Sequence, residues 1–310
     1  MKFGKLFDIS NVDFKLPADA SGTGRLLSNL PEREGPLKVY IGCTGWSMKE
    51  WIGKVYPPKT KAKDFLFYYS RQFNTIELNT THYRTPDEKT IEKWKSESGD
   101  NFRFCPKILQ AISHRRDLGK DNPLVDKFTA AVYGLEEKLG SCFMQLPPYF
   151  DKNRLPILIN FLESWPKEIA LGIEFRHESW FEDVQVKTEV FNALEENRIG
   201  TVITDVSGRR DVLHQRLTTP IAMIRFVGNG LHPTDYSRID EWVSRLKDWA
   251  DAGLKEVYFF PHEPDNILAP DLAVYFVNQL NAALDLGLKP PTLIGAFPEG
   301  QNPEGQISLF

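Results

Sequence analysis

The sequence predicts one (β/α)8 TIM barrel of the α/β class. Three observations favour it: eight short apolar runs recur along the 310 residues, each is followed by a segment that we interpret as a helix, and no change in composition divides the series. Two smaller α/β domains remain the alternative.

The apolar runs are the predicted strands. They cover residues 38–46, 73–79, 102–108, 141–148, the start of 169–180, 201–206, 221–228 and 256–263. Strands that are buried on both faces are typically apolar throughout. Pro106 must lie near the end of the third strand, because proline cannot donate to a central ladder.

Helical spacing of apolar residues follows these runs. It covers residues 64–73, 88–98, 125–140, 154–165, 186–200, 239–253 and 271–287, whereas 209–217 after the sixth strand is only weakly patterned. Several of these segments close on a glycine, as helices often do. We predict an irregular N-terminal arm over residues 1–36, the barrel over 37–288 and a flexible tail over 289–310.

Composition and charge restrict the class of protein. The chain is 41% hydrophobic and 26% charged with a net charge of -4, which disfavours broad binding to nucleic acid or an anionic membrane but leaves a local basic patch open. We find no secretion signal and no apolar span of membrane length, so a cytoplasmic protein without a membrane partner is expected. Cys43, Cys105 and Cys142 each lie in or beside an apolar run, which predicts buried, reduced thiols.

Polar residues stand where the predicted strands end. In a parallel barrel these ends share one face, so we expect the side chains to converge on one site. The predicted catalytic residues are Glu77, Glu174, His177, Asp205 and His262. The predicted substrate-binding residues are Trp46, Asn79, Tyr83, Lys107, Gln145, Arg176, Trp180 and Arg225.

This mixture of carboxylates, imidazoles and cations favours acid–base chemistry. Carboxylates in different environments take separate acid and base roles, which we assign to Glu174 and Glu77, while histidines transfer protons. Arginine and lysine suit a phosphate or carboxylate group. The expected ligand is a small polar anion such as a sugar phosphate or a nucleic-acid fragment. Hydrolase, lyase and isomerase all stay open.

Each residue also has a structural interpretation. Glu77 and Glu174 could be buried ion-pair partners of Arg225 or Lys107, the two tryptophans could be packing residues, and His177 a loop residue. No GxGxxG or GxxxxGK[ST] motif occurs, so no nucleotide cofactor is expected. A divalent metal could be held by Glu77, Glu174, Asp205 and His262, but nothing in their spacing requires one, and we expect a site without metal.

Several of these segments resemble a known family. The blocks are IGCTGWSMKEWIGKVYPP, FNTIELNTTHYRTP, FRFCPKI, FMQLPP, IEFRHESWF and IRFVG, and in this order they resemble the domain-of-unknown-function 72 family, also called YecE-like, over residues 39–287. The resemblance implies a TIM barrel but no established reaction. The family's recurrent positions correspond to Gly45, Trp46, Glu77, Asn79, Tyr83, Lys107, Gln145, Glu174, Arg176, His177 and Trp180. Many relatives have an asparagine pair where this chain has Pro261 and His262.

The chain ends in GQISLF after a stretch rich in proline and glycine. Residues 306–310 resemble the QLxLF pentapeptide with which bacterial repair and replication proteins bind the DNA sliding clamp. The resemblance implies that Gln306, Leu309 and Phe310 would contact the clamp. A non-catalytic, clamp-associated DNA-repair protein is therefore the alternative to an enzyme, and a tail folded onto its own barrel also stays open.

Overall fold

The computed structural model describes residues 4–120 and 122–294 and has an α/β fold built on parallel strands. Its strands are β1 Lys38–Ile41, β2 Thr75–Leu78, β3 Arg103–Pro106, β4 Cys142–Gln145, β5 Leu171–Glu174, β6 Gly200–Asp205, β7 Ile221–Val227 and β8 Glu256–His262. Each of the eight predicted runs therefore contains or overlaps a strand within the described residues. Most strands are shorter than the runs, because the polar residues that follow them belong to loops.

The helices largely follow the predicted order. They are α1 Ser21–Ser28, α2 Phe65–Gln72, α3 Glu88–Glu97, α4 Gln110–Ser113, α5 Leu124–Tyr133, α6 Leu155–Ser164, α7 Ser179–Glu182, α8 Val184–Glu196, α9 Pro233–Asp251 and α10 Ala269–Leu284. Side chains cap several N-termini: Asp87 accepts from the amide of Thr90 in α3, and Asp183 accepts from that of Gln185 in α8. No helix in the described ranges is long and apolar enough to cross a membrane.

The helix prediction differs from the structure in three places, one of which is the two short helices α4 and α7, which were not predicted. The arm contains α1, which sequence patterning did not reveal because two glycines interrupt the helix. The weakly patterned segment after β6 has only a 3-10 turn, Arg210–Val212, and no α-helix. The prediction of buried thiols is confirmed, since Cys43, Cys105 and Cys142 are all buried and unpaired.

The strands form two parallel sheets instead of one closed ladder. Six strands are ordered β1-β8-β7-β6-β5-β4, and β2 pairs with β3 in a separate sheet. The prediction of a continuous eight-stranded barrel is therefore not confirmed. The two places where a closed ladder would continue, between β1 and β2 and between β3 and β4, each have a local reason for the interruption.

Side chains replace the ladder between β1 and β2. The amide of Asn74 accepts from Ile41 N at 2.7 Å and donates to Val39 O at 2.8 Å. The Tyr69 hydroxyl accepts from Cys43 N at 2.6 Å. Gly42 makes this approach possible, because a Cβ there would stand 1.9 Å from the carbonyl oxygen of Thr75.

A bulge interrupts the pairing of β3 with β4. Isolated bridges join Phe104 to Leu139 and Lys107 to Phe143, so the β4 side has one more residue between the bridges than the β3 side. Ile108 still donates to Phe143 O at 2.8 Å. The bulge lies next to Lys107, whose side chain belongs to the site.

Candidate functional site

A cavity of about 590 Å³ lies at the carboxyl ends of the strands. Its lining residues are Lys5, Leu6, Phe7, Ile9, Thr44, Glu77, Asn79, His82, Tyr83, Lys107, Gln145, Val206, Ser207, Val227, Gly228, Asn229, His232, His262, Glu263, Pro264 and Asn266. The convergence of strand ends that the sequence predicts is therefore present, and the arm contributes the first four residues.

A buried ion-pair network adjoins this cavity. Arg225 donates two hydrogen bonds to Glu77, at 2.8 and 3.0 Å, and a third to Glu174 at 2.7 Å. Glu174 also accepts from Gln145 at 2.8 Å and from Arg176 at 3.0 Å. Both glutamates and Arg225 are only 1% exposed. The sequence left open whether Glu77 and Glu174 are buried ion-pair partners of Arg225, and in the structure they are.

The network keeps both carboxylates ionised. Burial alone would raise the pKa of Glu174, but the charges of Arg225 and Arg176 outweigh it and lower that pKa to about 2. Burial likewise opposes ionisation of Glu77, and Arg225 with His262 holds its pKa well below the usual range. At neutral pH, neither group carries the proton that a general acid needs, which disfavours the acid role predicted for Glu174.

His262 and Glu77 form a carboxylate–imidazole pair. Nε2 of His262 lies 3.0 Å from Oε2 of Glu77, whose other oxygen accepts from Asn79 at 2.9 Å. Since the carboxylate only accepts, Nε2 carries the proton and Nδ1 is left as an acceptor. Burial lowers the pKa of His262 despite the charge of Glu77, so the ring is neutral at neutral pH.

Lys107 places a buried ammonium group at the cavity. Its side chain is 6% exposed, and Nζ donates to Oε1 of Gln145 at 3.1 Å. Phe143 lies beneath it, with the ring centroid 5.9 Å from Nζ. Burial, together with the charge of Arg225, lowers the pKa of Lys107 to about 8. The group is therefore still mainly protonated at pH 7.

Glu263 is a different kind of buried carboxylate. It is 4% exposed and accepts from the backbone amides of Gly230 at 2.7 Å and Leu231 at 3.3 Å. In the described ranges it has no ion-pair partner, whereas every other buried aspartate or glutamate side chain there contacts an arginine. Burial raises the pKa of Glu263 to about 7, so it exchanges a proton near neutral pH.

The structure brings together many of the predicted residues. Glu77, Asn79, Tyr83, Lys107, Gln145 and His262 line the cavity. Glu174, Arg176 and Arg225 are joined to these residues through the ion-pair network without being part of the lining.

Asp205 lies elsewhere, contrary to prediction. It is fully buried, pairs with Arg238 at 2.7 Å and with Arg210, and accepts from Trp242 Nε1 at 2.8 Å. Arg238 and Trp242 belong to α9, so Asp205 fixes that helix to β6. Because successive side chains of a strand face opposite sides, a polar residue at a strand end can point away from the cavity.

Three further predicted residues are also outside the cavity lining. His177 is half-buried, and its Nδ1 accepts from Ser179 N at 3.2 Å beside α7. Trp180 is fully buried, stacks on Phe150 and donates to its carbonyl oxygen at 2.7 Å. Trp46 makes edge contacts with Trp94 and Phe104. These side chains support the fold around the site.

Other cavity residues are not among the predicted site residues. His82 and Glu263 stand at or just after strand ends, where polar residues are expected to converge, but only their neighbours Tyr83 and His262 were selected. No sequence signal indicated four cavity residues of the arm, because an irregular segment has no periodicity from which its position could be predicted. These residues are Lys5, Leu6, Phe7 and Ile9. Gln306, Leu309 and Phe310 lie outside the described residues. Within those ranges, no three His, Cys, Asp or Glu residues are grouped closely enough to hold a metal ion.

Comparisons with known proteins agree with the predicted resemblance. The family model described as "Protein of unknown function DUF72" matches residues 40–293. The UPF0759 protein YecE of Escherichia coli K12 is 29% identical over 291 residues, covering 88% of this chain and all of that protein.

Two solved structures share the fold. A DUF72 family protein from Thermotoga maritima MSB8 is 26% identical with a TM-score of 0.61, covering 80% of this chain and 99% of that one. A DUF72 family protein from Enterococcus faecalis V583 is 19% identical with a TM-score of 0.62, covering 81% of this chain and 98% of that one.

Proposed function

The chain belongs to the DUF72 family of proteins of unknown function, and from this premise we propose that it is an acid–base enzyme acting on a small anionic substrate. The proposed substrate binds in the cavity at the carboxyl ends of the strands. The observation that carries the proposal is the buried ammonium group of Lys107.

Lys107 has donors to spare for a ligand. A protonated amine carries three N–H groups, and the one hydrogen bond that Nζ makes within the described residues goes to the neutral amide of Gln145. The nearby carboxylates Glu77 and Glu174 are occupied by Arg225 and its neighbours. A phosphate or carboxylate entering the cavity would supply the acceptors and the negative charge that this ammonium group lacks.

Two cavity residues have suitable states for proton transfer. His262 is neutral, and its Nδ1 is available as a base because Glu77 holds Nε2. Glu263 is partly protonated near pH 7 and can donate as an acid. In this proposal Glu77 orients the base, Glu174 and Arg225 hold that orientation, and Lys107 stabilises negative charge on the substrate.

We further propose that the eight strands act as one barrel around this cavity. Its support is that backbone hydrogen bonds cross both interruptions, from Glu77 N to Cys43 O at 3.1 Å and from Ile108 N to Phe143 O at 2.8 Å. Amide hydrogen exchange tests this: Glu77 and Ile108 should be protected as strongly as amides inside the six-stranded sheet, and rapid exchange at both would contradict a single barrel.

Calorimetric titration of glycerol phosphate into the purified protein tests the binding step. Lys107→Met should weaken binding at least ~30-fold, because it removes the cation without adding bulk, and it should leave the melting temperature unchanged or higher. Lys89→Met is the matched control, since Lys89 is exposed on α3, and it should bind like the unaltered protein. Equal binding by Lys107→Met would overturn the proposal.

Binding to the DNA sliding clamp is a separate proposal that rests on the sequence of residues 306–310. The GQISLF peptide should saturate purified clamp at sub-millimolar concentration, and a peptide with Gln306, Leu309 and Phe310 replaced by alanine should not. Absence of saturable binding by the unaltered peptide would remove this proposal without affecting the enzyme.

A further inference from the structure

A second pocket adjoins the main cavity. It has a volume of about 420 Å³ and is lined by His82, Tyr83, Leu109, Gln110, Ala111, His114 and Arg115. His82 and Tyr83 line both spaces, so the two are adjacent at these residues. We call this second space the side pocket.

His82 is the buried polar residue that lines both the side pocket and the main cavity. The residue is 7% exposed, and its Nδ1 lies 2.8 Å from the carbonyl oxygen of Ile108. A carbonyl oxygen can only accept, so the proton is on Nδ1 and the unprotonated Nε2 is left to accept from a ligand. Burial lowers the pKa of His82 to about 4, so this neutral tautomer persists at physiological pH.

The other polar groups of the side pocket are also neutral or neutralised. The His114 ring lies 5.5 Å from that of His82, and burial together with Lys107 lowers its pKa. Arg115 donates to both carboxylate oxygens of Asp117, at 3.0 and 3.3 Å. Tyr83 is 77% exposed and offers an open aromatic face and a hydroxyl.

This combination suits a hydroxylated ring better than a second anion. Neutral imidazoles, an amide and a phenol exchange hydrogen bonds with hydroxyl groups, and an exposed tyrosine ring packs against the apolar face of a sugar. A phosphate or carboxylate would instead meet an unprotonated nitrogen and an arginine that is already paired with Asp117. The main cavity, by contrast, supplies the ammonium group of Lys107.

We propose that the side pocket binds an uncharged, hydroxyl-bearing sugar ring of a substrate whose anionic group lies at Lys107. This rests on the proposed function and narrows its substrate class from small anions to sugar phosphates and sugar acids. Tyr83 and His82 would be the residues that select the ring, because they border both spaces.

Calorimetric titration with two probes tests the proposal. Glycerol phosphate carries the anion without a ring, and glucose 6-phosphate carries the same anion on a sugar. The unaltered protein should bind glucose 6-phosphate at least ~10-fold more tightly, which corresponds to one or two net hydrogen bonds. Tyr83→Ala and His114→Phe should each reduce this preference. His114 does not line the main cavity, so His114→Phe should leave glycerol phosphate binding unchanged. Tyr133→Ala, at an exposed tyrosine on α5, is the matched control and should change neither.

The possible outcomes separate the two proposals. If both probes bind equally and both depend on Lys107, the side pocket has no role in recognition, although the proposed function survives. If neither probe binds, both proposals fail. If a nucleoside monophosphate binds more tightly than glucose 6-phosphate and loses that advantage in Tyr83→Ala, the pocket recognises a base, and the sugar assignment is wrong.

Discussion

Two buried carboxylate–arginine clusters illustrate how differently the same residue types can be used. The inner cluster joins Glu77 and Glu174 to Arg225 beside the cavity, while the outer cluster joins Asp205 to Arg238 between β6 and α9. All of these side chains are 1% exposed or less. The inner cluster orients a cavity histidine, and the outer one attaches a helix to the sheet.

Strand register explains which cluster faces the cavity. In the pairing of β6 with β7, Asp205 lies opposite Phe226 and Thr204 lies opposite Arg225. Paired residues share a side of a sheet, so Asp205 faces the side of Phe226, away from Arg225. Consistent with this, the Arg238 guanidinium lies 4.2 Å from the Phe226 ring centroid. A shift of one residue along a strand thus separates a site residue from a structural one.

The largest expected effect comes from breaking the inner cluster. Arg225→Met should lower the free energy of unfolding by about 3–5 kcal/mol, because Glu77 and Glu174 would be left buried without their shared cation. Urea denaturation at neutral pH measures it, with Lys89→Met as an exposed cation control. A loss below about 1 kcal/mol would mean that water or another cation takes over the two carboxylates.

Breaking the outer cluster should affect stability alone. Asp205→Asn should lower the free energy of unfolding by about 2–3 kcal/mol, less than Arg225→Met, because Arg210 is partly exposed and retains water contacts. Glycerol phosphate binding should not change. Weaker binding in a folded Asp205→Asn protein would contradict the division between a cavity cluster and a helix-anchoring cluster.

Glu263 should respond to pH with the opposite sign to both clusters. Its folded pKa of about 7 is above the usual glutamate value of 4.5, so its ionisation increasingly destabilises the fold as pH rises from 4.5 to about 7. Glu263→Gln should therefore add on the order of 1 kcal/mol near pH 8 and little near pH 4. Glu174, with a folded pKa of about 2, stabilises the fold at pH values above the usual glutamate pKa and loses this contribution only in acid. Urea denaturation at both pH values distinguishes them, and a stability gain that is equal at both would show that Glu263 does not titrate between them.

The smallest effect is expected at His177. Replacement by alanine should cost about 0.5–1 kcal/mol, because one hydrogen bond from Ser179 N is lost, and should leave ligand binding unaltered. Thermal unfolding and calorimetric titration check the two parts. If the variant lost ligand binding without losing stability, His177 would belong to the functional site, as the sequence predicts.

The sequence could predict much of the fold but only part of the site. The apolar runs predicted the strands, and the ends of these runs predicted Glu77, Lys107 and His262 as site residues. Both predictions were possible because the local composition of a segment indicates its burial and the point where a strand ends. The side of the sheet that Asp205 faces depends on the register of β6 with β7, which cannot be predicted from the sequence of β6 alone. The interruption beside β1 depends on Asn74, whose side-chain amide imitates a peptide group.

The interruption between β1 and β2 affects when β1 can be fixed during protein synthesis. Strand β1 emerges before the other seven described strands, yet its backbone ladder is with β8, with Lys38 opposite Glu256. Until β8 has been synthesised, β1 can be held mainly by the Asn74 amide, the Tyr69 hydroxyl and a bond from Glu77 to Cys43. We therefore expect β1 to be among the last of the described strands to be fixed, and a nascent chain that stalls before β8 would leave it exposed to aggregation and chaperones.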